Sequence, residues 1–356
     1  MGRAERKAII GRLEEARNSR VICYLTSDRP NADAQIQKDV MPLLFDHLRE
    51  IGRVERLDVF LFTTGGDTLA AFGIGRLLRE FCSHLSVLIP LRCYSAGTLL
   101  ALGANEIVMT AGATLSPIDP SITGPLNPSV EVAPGQHQLV PLSVETVASF
   151  KELVVEDWGM KGEEALVAAF RMLAEKVHPM ALGDVYRARQ QIEHLARKLL
   201  QGHRSDDVQN VITTLTKGLG SHDYLISRTE ARELLGAQVG EVEGVTEGLI
   251  WDLFKDFEAE MQLREPYDPA LAIRMARAAG DPDAVRITQK LAILEALGSR
   301  DAAEKEFVLS ELVPQQMGPM GPMVNGQPQI ALMQMLQGKK VIQQELVSAG
   351  WKHYTD

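Results

Sequence analysis

The 356-residue sequence is poor in aromatic residues, in cysteine and in long apolar runs, and each shortage excludes a class of protein. Aromatic residues make up 5%, so the core must be built from aliphatic side chains. The three cysteines, Cys23, Cys82 and Cys93, are odd in number and lack metal-ligand spacing, so a reducing compartment fits best. No apolar run approaches the roughly 20 residues of a bilayer-spanning helix. We therefore expect a cytoplasmic protein with no signal peptide and no integral membrane segment.

Positive charge is also scarce. The chain has 37 Lys and Arg against 47 Asp and Glu, a formal net charge of -10, which argues against general nucleic-acid binding. The apolar share of 45% and the charged share of 24% are typical of a globular chain. The sequence contains no phosphate-binding loop and no metal-ligand spacing, so we expect neither a cofactor nor a metal.

Strand and helix patterns alternate over the first third of the chain. Short apolar runs predict four strands and the apolar periodicity predicts helices between them, with strands at 21–25, 57–62, 84–91 and 106–109 and helices at 4–18, 35–52, 68–82 and from Ser95 to Gly103. This alternation favours a parallel sheet with helices on both faces. Ligands of such sheets lie beyond the carboxyl ends of the strands.

The remainder of the sequence predicts mostly helices. They are expected after a Pro- and Gly-rich loop (121–141), at 143–157, 162–177, 183–201, 206–216, 228–235, 249–261 and 268–297. Ser227 and Glu230 predict a capping box at the start of one of them. We expect an α/β domain over 1–262 with a helical insertion at about 121–182, a helical extension (263–312), a Pro/Gly-rich linker (313–328) and a C-terminal appendage (329–356).

Two turns that follow predicted strands carry candidate chemistry. In Thr64-Gly65-Gly66-Asp67, paired glycines allow close approach of a ligand to the backbone and could point amide hydrogens at an oxyanion. In Tyr94-Ser95-Ala96-Gly97, a serine stands between a strand and a helix, with small neighbours that leave room for a substrate carbonyl. Taken singly, each turn is more often structural, as a tight turn or as an N-cap serine.

Together, and in this order, the two turns resemble the Clp-protease proteolytic subunit and its relatives, the signal-peptide peptidases and crotonases. The sequence is most similar to the serine dehydrogenase proteinase family, over about residues 20–250. The resemblance implies an α/β, ClpP/crotonase-like fold: a repeated ββα spiral with a mostly parallel sheet flanked by helices, here with extra helices and a C-terminal helical extension. It also implies Ser95 as nucleophile, with Gly65, Gly66 and Ala96 forming the oxyanion hole.

The resemblance suggests more than one general base for Ser95. A triad in the order Ser, Asp, His is met by Ser95, Asp119 and His178, and Pro179 places His178 at a helix corner. Asp223 lies in a segment similar to the one that orients the histidine of Clp proteases, but that histidine follows the fourth strand, where this chain has Ile118 or Asp119. Asp223 could still orient His178, or His222 could itself be the base.

Lys151 is the remaining alternative, because relatives of the signal-peptide-peptidase type use a Ser-Lys pair. Such a lysine needs burial to lower its pKa.

Three functions are compatible with these residues. The first is a serine peptidase that acts on polypeptides through an acyl-enzyme and assembles into a homo-oligomer, as the resemblance implies. The second is a crotonase-like acyl-CoA enzyme that uses the paired amides on an enolate and needs no serine nucleophile. The third is an inactive oligomeric scaffold.

Overall fold

A computed structural model of the chain describes residues 3–118, 121–133, 135–201, 207–242, 244–278, 284–312, 323–324, 327–328 and 341–354. The chain divides into two units. The first comprises Met1–Cys23 and Gln35–Phe254, and the second comprises Tyr24–Ala34 and Lys255–Asp356. The first unit thus ends eight residues before the expected boundary at 262. Within the described ranges, no helix has both the length and the apolar character needed to cross a membrane.

The elements of the amino-terminal part follow one another as strand and helix. They are α1 (Arg3–Arg17), β1 (Arg20–Thr26), β2 (Asp28–Arg29), β3 (Ala32–Asp33), α2 (Val40–Ile51), β4 (Val54–Phe62), α3 (Thr68–Arg79), β5 (Cys82–Ile89), β6 (Arg92–Cys93), α4 (Ala96–Leu102), β7 (Glu106–Met109) and β8 (Thr114–Leu115).

The middle and carboxyl-terminal parts begin with short strands, continue with helices and end with long strands. The elements are β9 (Ser121–Ile122), β10 (Ser129–Ala133), β11 (Gln136–Leu139), β12 (Leu142–Ser143), α5 (Val144–Glu152), α6 (Glu163–Lys176), α7 (Pro179–Leu200), α8 (Val208–Thr213), β13 (Ile226–Ser227), α9 (Arg228–Leu235), β14 (Val239–Gly240), α10 (Val245–Met261), α11 (Pro269–Ala278), β15 (Ala284–Glu295), β16 (Arg300–Leu312), β17 (Met323–Val324), β18 (Gln327–Pro328) and β19 (Val341–Tyr354). Alpha-helices α5 and α8 continue as π-helical turns at 153–157 and 214–218.

The sheet of the first unit has the order β14-β7-β5-β4-β1, and its β4, β5, β7 and β14 are parallel to their neighbours. Val59, Val87, Ile107 and Val239 lie side by side across these four strands. The last six residues of β4 and the last five of β5 are all buried. Burial of consecutive residues is the expected consequence of helices on both faces of a parallel sheet. The predicted parallel α/β architecture is therefore confirmed.

A second, smaller sheet lies beyond the ends of the long strands. Its β6 runs parallel to β8, and β8 pairs antiparallel with β13. Thr63 forms a parallel bridge to Cys93 and so joins the end of β4 to this layer. Strand β4 is therefore followed by a short extended segment and helix α3, and strand β5 is followed by the short strand β6 and helix α4. This order is the ββα repeat that the resemblance implies.

A charged cluster connects α1 to the sheet of the first unit. The Arg17 guanidinium pairs with Asp58, whose side chain is fully buried, and with Glu106 at 2.6 Å. Ser19 Oγ donates a second hydrogen bond to Asp58, at 2.8 Å. Because an unpaired buried carboxylate is very unfavourable, Arg17 fixes the position of α1 on these strands.

In the second unit, β15, β16 and β19 form consecutive antiparallel pairs. This corrects two sequence predictions. Helix α11 ends at Ala278, and residues 284–295 form a strand rather than the end of a helix over 268–297. The C-terminal extension is therefore largely β-structure, and residues 341–354 of the expected appendage complete it. The reason is a period-two pattern, in which Val285, Ile287 and Gln289 are more buried than Arg286 and Thr288.

Two helix starts show how local chemistry sets the boundaries. Ser227 and Glu230 form the predicted capping box, and α9 covers residues 228–235 as expected. The helix predicted over 35–52 instead begins at Val40. Ile36, within the predicted span, instead forms a parallel bridge to Gly66, and Lys38 and Asp39 form a turn before the helix.

Candidate active site

Ser95 adopts a strained backbone conformation at the turn between β6 and α4. Its φ is 50° and its ψ is -111°, in the region that favours glycine. A non-glycine residue held there costs roughly 1–3 kcal/mol, and such residues are concentrated at active sites. The side chain is half-buried, and its hydroxyl has no hydrogen-bond partner among the described residues. A strained strand-to-helix turn is how α/β-hydrolases present their serine nucleophile.

Two buried hydroxyl groups hold this turn in place. The Ser95 amide donates to Ser116 Oγ at 2.8 Å, and the Ser116 amide donates to Thr98 Oγ1 at 3.2 Å. Thr98 Oγ1 in turn donates to the carbonyl oxygen of Cys93 at 2.9 Å. These links tie the turn to β6 on one side and to the segment after β8 on the other. Sequence analysis missed both residues, although two hydroxyl side chains among apolar neighbours were a usable signal.

The structure brings the diglycine turn directly against Ser95. A Cβ atom added to Gly65 would lie 2.9 Å from Ser95 Cβ and 3.0 Å from the carbonyl oxygen of Tyr94. Gly65 also has a φ of 112°, which other residues rarely adopt. Only glycine therefore allows this approach.

The backbone amides around Ser95 are not equivalent. The Gly65 amide donates to Thr63 Oγ1 at 3.0 Å, so it is already occupied in this structure. The amides of Gly66 and Ala96 have no acceptor among the described residues. Of the three predicted donors, these two can bind a substrate oxygen.

Gly66 is fixed by a neighbouring segment of the chain. A Cβ atom there would lie 2.4 Å from the carbonyl oxygen of Ile36 and 2.5 Å from its nitrogen. The hydrogen bonds of Ile36 N to Gly65 O and of Asp67 N to Ile36 O pass on either side of the Gly66 amide. Asp67 then caps α3 by accepting from the amides of Leu69 and Ala70. The diglycine is thus held rigidly, and the Gly66 amide has no acceptor among the described residues.

Cys93, two residues before Ser95, is not a competing nucleophile. Its side chain is fully buried, and burial raises the pKa of its thiol far above the ordinary value. The neutral thiol packs against the helix start, where a Cβ atom at Gly97 would lie 3.1 Å from its sulfur.

His178 lies away from Ser95. It is exposed at the start of α7, where its Nδ1 accepts a hydrogen bond from the Met180 amide at 3.2 Å. From there the 22-residue α7 extends about 33 Å. Near its far end, Leu199 reaches within 2.9 Å of a Cβ atom added to Gly103, which is about 12 Å from Ser95 along α4. These lengths leave His178 more than about 10 Å from Ser95, beyond hydrogen-bond reach.

The other candidate bases also form no hydrogen bond with Ser95. Lys151 is exposed on α5, and Asp223 is exposed in a turn where its amide donates to Ser221 Oγ at 3.2 Å. His222 is exposed in the same turn. Asp119 lies outside the described residues. The structure thus unites the predicted nucleophile with two predicted oxyanion donors, but brings none of the described candidate bases to it.

Residues 2–138 match the model of a family described as ClpP-like SDH-type serine proteinase. The matched segment contains the diglycine turn, Ser95 and Ser116. The match confirms the resemblance inferred from the two motifs.

Two curated relatives are uncharacterized proteins of Methanocaldococcus jannaschii. One is 27% identical over 179 residues, covering 50% of this chain and 50% of the relative. The other is 26% identical over 188 residues, covering 52% of this chain and 54% of the relative. The chain thus matches these relatives over about half of their length.

Among solved structures, similarity extends to two groups. A membrane-bound stomatin-specific protease is 16% identical and covers 42% of this chain and 69% of its own, with a TM-score of 0.25. A probable enoyl-CoA hydratase/isomerase from Mycobacterium abscessus is 11% identical and covers 74% and 94%, with a TM-score of 0.22. No inference about this chain follows from TM-scores this low.

Proposed function

We propose that this chain is a serine peptidase in which Ser95 is the nucleophile and the amides of Gly66 and Ala96 form the oxyanion hole. The observation that carries the proposal is the strained turn at Ser95, packed against a diglycine whose second amide has no acceptor among the described residues. The match of residues 2–138 to a serine proteinase family supports it.

The reaction follows from the chemistry of these groups. Ser95 Oγ adds to the carbonyl carbon of a peptide bond, and the negative charge that forms on the carbonyl oxygen is held by the two amides. The carbon–nitrogen bond then breaks, the amine leaves with a proton, and an ester to Ser95 remains until water hydrolyses it. A single oxyanion donor of this kind contributes about 10²–10³-fold to the rate.

A serine hydroxyl at neutral pH requires a general base. The candidates remain His178 with Asp119, His222 or His178 with Asp223, and Lys151. Because His178 lies beyond hydrogen-bond reach of Ser95, it could act as the base only through movement of the helical segment that contains it or from a second subunit. Variants of each residue separate these possibilities.

The wider assignment follows the same family resemblance. We place the hydrolase activity in the first unit, on polypeptide substrates, in a cytoplasmic homo-oligomer without a cofactor. The three cysteines, none in a disulfide, agree with a reducing compartment. The strained Ser95 favours this function over the crotonase-like alternative, because enolate stabilisation by paired amides makes no use of a serine hydroxyl.

Labelling with a fluorophosphonate tests the proposal, because this reagent forms a covalent bond only with an activated serine. We expect the native chain to be labelled at Ser95, and Ser95→Ala to abolish labelling. Ser149→Ala, which removes an exposed serine on α5, is the matched control and should label as the native chain does. An unlabelled native chain, or equal labelling of Ser95→Ala, would refute the proposed nucleophile.

The same assay identifies the base. The rate of labelling is compared, at several protein concentrations, among the variants His178→Ala, His222→Ala, Lys151→Ala, Asp119→Asn and Asp223→Asn. If labelling is lost in a single variant, the residue changed in that variant is assigned as the base. A labelling rate that rises with the concentration of chain indicates that the base comes from a second subunit.

A further inference from the structure

The second unit contains a cleft that the proposed peptidase reaction does not use. Its volume is about 390 Å³, within the range of small-molecule sites. The floor is one face of the antiparallel sheet, and the walls are the β2–β3 hairpin and the loop before α11. The lining residues are Asn31, Ala32, Asp33, Tyr267, Pro269, Gln289, Leu291, Lys305, Phe307 and Gln344.

The walls of the cleft are joined to each other by hydrogen bonds. The Tyr267 amide donates to the carbonyl oxygen of Pro30 at 2.9 Å, and Asn31 Nδ2 donates to the carbonyl oxygen of Tyr267 at 3.1 Å. Arg29 lies over the Tyr267 ring, 5.7 Å from its centroid. The cleft is therefore preformed, so a ligand does not have to order it on binding.

Two buried polar groups line the cleft. Gln289 is 4% exposed and Tyr267 is 6% exposed. Gln289 Nε2 and the Tyr267 hydroxyl form no well-aligned hydrogen bond within the described part of the chain, although the two side chains lie close enough to interact with each other. Leaving such groups unsatisfied costs about 1–3 kcal/mol each, and a ligand that accepts from them recovers this energy. Burial also raises the pKa of Tyr267, so its hydroxyl keeps its proton and can donate.

Two opposite charges also line the cleft. Lys305 stands directly across from Gln289 in the β15–β16 register, so its ammonium group and the Gln289 amide share one face of the sheet. Asp33 belongs to the hairpin wall. Both residues are exposed, and neither forms an ion pair with another described residue.

The remaining lining is apolar. Leu291 lies two residues beyond Gln289, at a register shift of β15, and Phe307 lies two residues beyond Lys305. Because the strands are antiparallel, the two side chains flank the Gln289–Lys305 pair on opposite sides, and Phe307 provides the larger apolar surface. An aliphatic group of moderate size is suited to this part of the cleft.

We propose that the cleft binds a free α-amino acid with an aliphatic side chain. Its carboxylate accepts hydrogen bonds from Lys305, Gln289 and Tyr267, its ammonium group pairs with Asp33, and its side chain contacts Phe307. This site is separate from Ser95 and does not depend on the proposed peptidase activity.

Isothermal titration calorimetry of the full chain tests this inference with three probes, in native and Ser95→Ala protein alike. L-leucine carries both charges, N-acetyl-L-leucine lacks the ammonium group, and L-leucinamide lacks the carboxylate. We expect L-leucine to bind, and each derivative to bind at least about tenfold more weakly, because each leaves one charge of the cleft unpaired. No binding of L-leucine, or equal binding of the three, would overturn the proposal.

Variants locate the binding in the cleft. We expect Lys305→Met and Asp33→Asn each to weaken L-leucine binding at least about tenfold. Arg286→Met, which removes an exposed charge on β15 outside the cleft, is the matched control and should bind as the native chain does. Circular dichroism verifies that each variant is folded. L-leucine binding that persists unchanged in both folded cleft variants would show that the site lies elsewhere.

Discussion

The two units form their candidate sites from different parts of the polypeptide. In the first unit, parallel strands are buried on both faces, and the site consists of backbone: a strained turn at Ser95 and two amides. In the second unit, antiparallel strands expose alternate side chains on one face, and the cleft consists of side chains such as Gln289 and Lys305. A site made of backbone depends on steric fit, whereas a site made of side chains depends on charge and hydrogen bonding. The consequences of substitution should therefore differ in kind.

The largest effect on stability is expected from Arg17→Met in the first unit. The change leaves the fully buried carboxylate of Asp58 without its ion pair, which costs about 3–5 kcal/mol. Urea denaturation followed by circular dichroism measures this loss. Arg20→Met is the control, because Arg20 is 45% exposed and its pair with Glu14 contributes less than about 1 kcal/mol. Similar losses in both variants would mean that burial of Asp58 has little influence on stability.

Gly66→Ala should have the next largest effect. The added methyl group would overlap the backbone of Ile36, and the φ of 143° is unfavourable for alanine. We expect a loss of about 3 kcal/mol in the free energy of unfolding, together with loss of fluorophosphonate labelling. Gly183→Ala is the contrasting control, since Gly183 lies in α7 with open space around it and alanine there should add up to about 1 kcal/mol. A stable, fully labelled Gly66→Ala variant would contradict the tight fit described for the diglycine.

A smaller effect is expected from Ser116→Ala, which removes the acceptor of the Ser95 amide. We expect stability to fall by about 1–2 kcal/mol and the rate of labelling to fall about tenfold. The rate is measured at a temperature where the variant is fully folded, so that a loss of stability alone does not change it. An unchanged rate in the folded variant would show that the turn at Ser95 keeps its geometry without this hydrogen bond.

The smallest effect, and one of opposite sign, is expected in the second unit. Gln289→Met replaces a buried amide that lacks a full set of partners by an apolar side chain of similar length. We expect a gain of up to about 1 kcal/mol in the free energy of unfolding, with weaker L-leucine binding. Urea denaturation and calorimetry measure the two quantities on one preparation. A loss of more than about 1 kcal/mol would instead show that the amide stabilises the folded sheet.

The sequence was most informative where strand and turn chemistry is local. Apolar runs such as 57–62 predicted buried parallel strands, and the turns around Gly65 and Ser95 were expected to meet because both follow such strands. The capping box at Ser227 likewise depends on neighbours within three residues. These features are encoded by short segments, which is why they could be predicted.

The features that could not be predicted from the sequence depend on segments distant in the chain or on an ambiguous periodicity. Nothing near Gly65 in the sequence indicates that Thr63 Oγ1 captures its amide, and nothing near Ser95 points to Ser116. The separation of His178 from Ser95 is set by the length and packing of α7. In 284–295, a buried glutamine interrupts the apolar alternation, so a strand was interpreted as part of a helix.

The positive φ of Ser95 places catalysis and folding in opposition at one residue. Glycine at this position would relax the turn and yield a more stable chain that has no hydroxyl to react. In a lineage that no longer needs the reaction, mutation can therefore replace the serine without harm to the fold. Among proteins that share this fold, the residue at this turn should distinguish those that still hydrolyse substrates from those that retain only the scaffold.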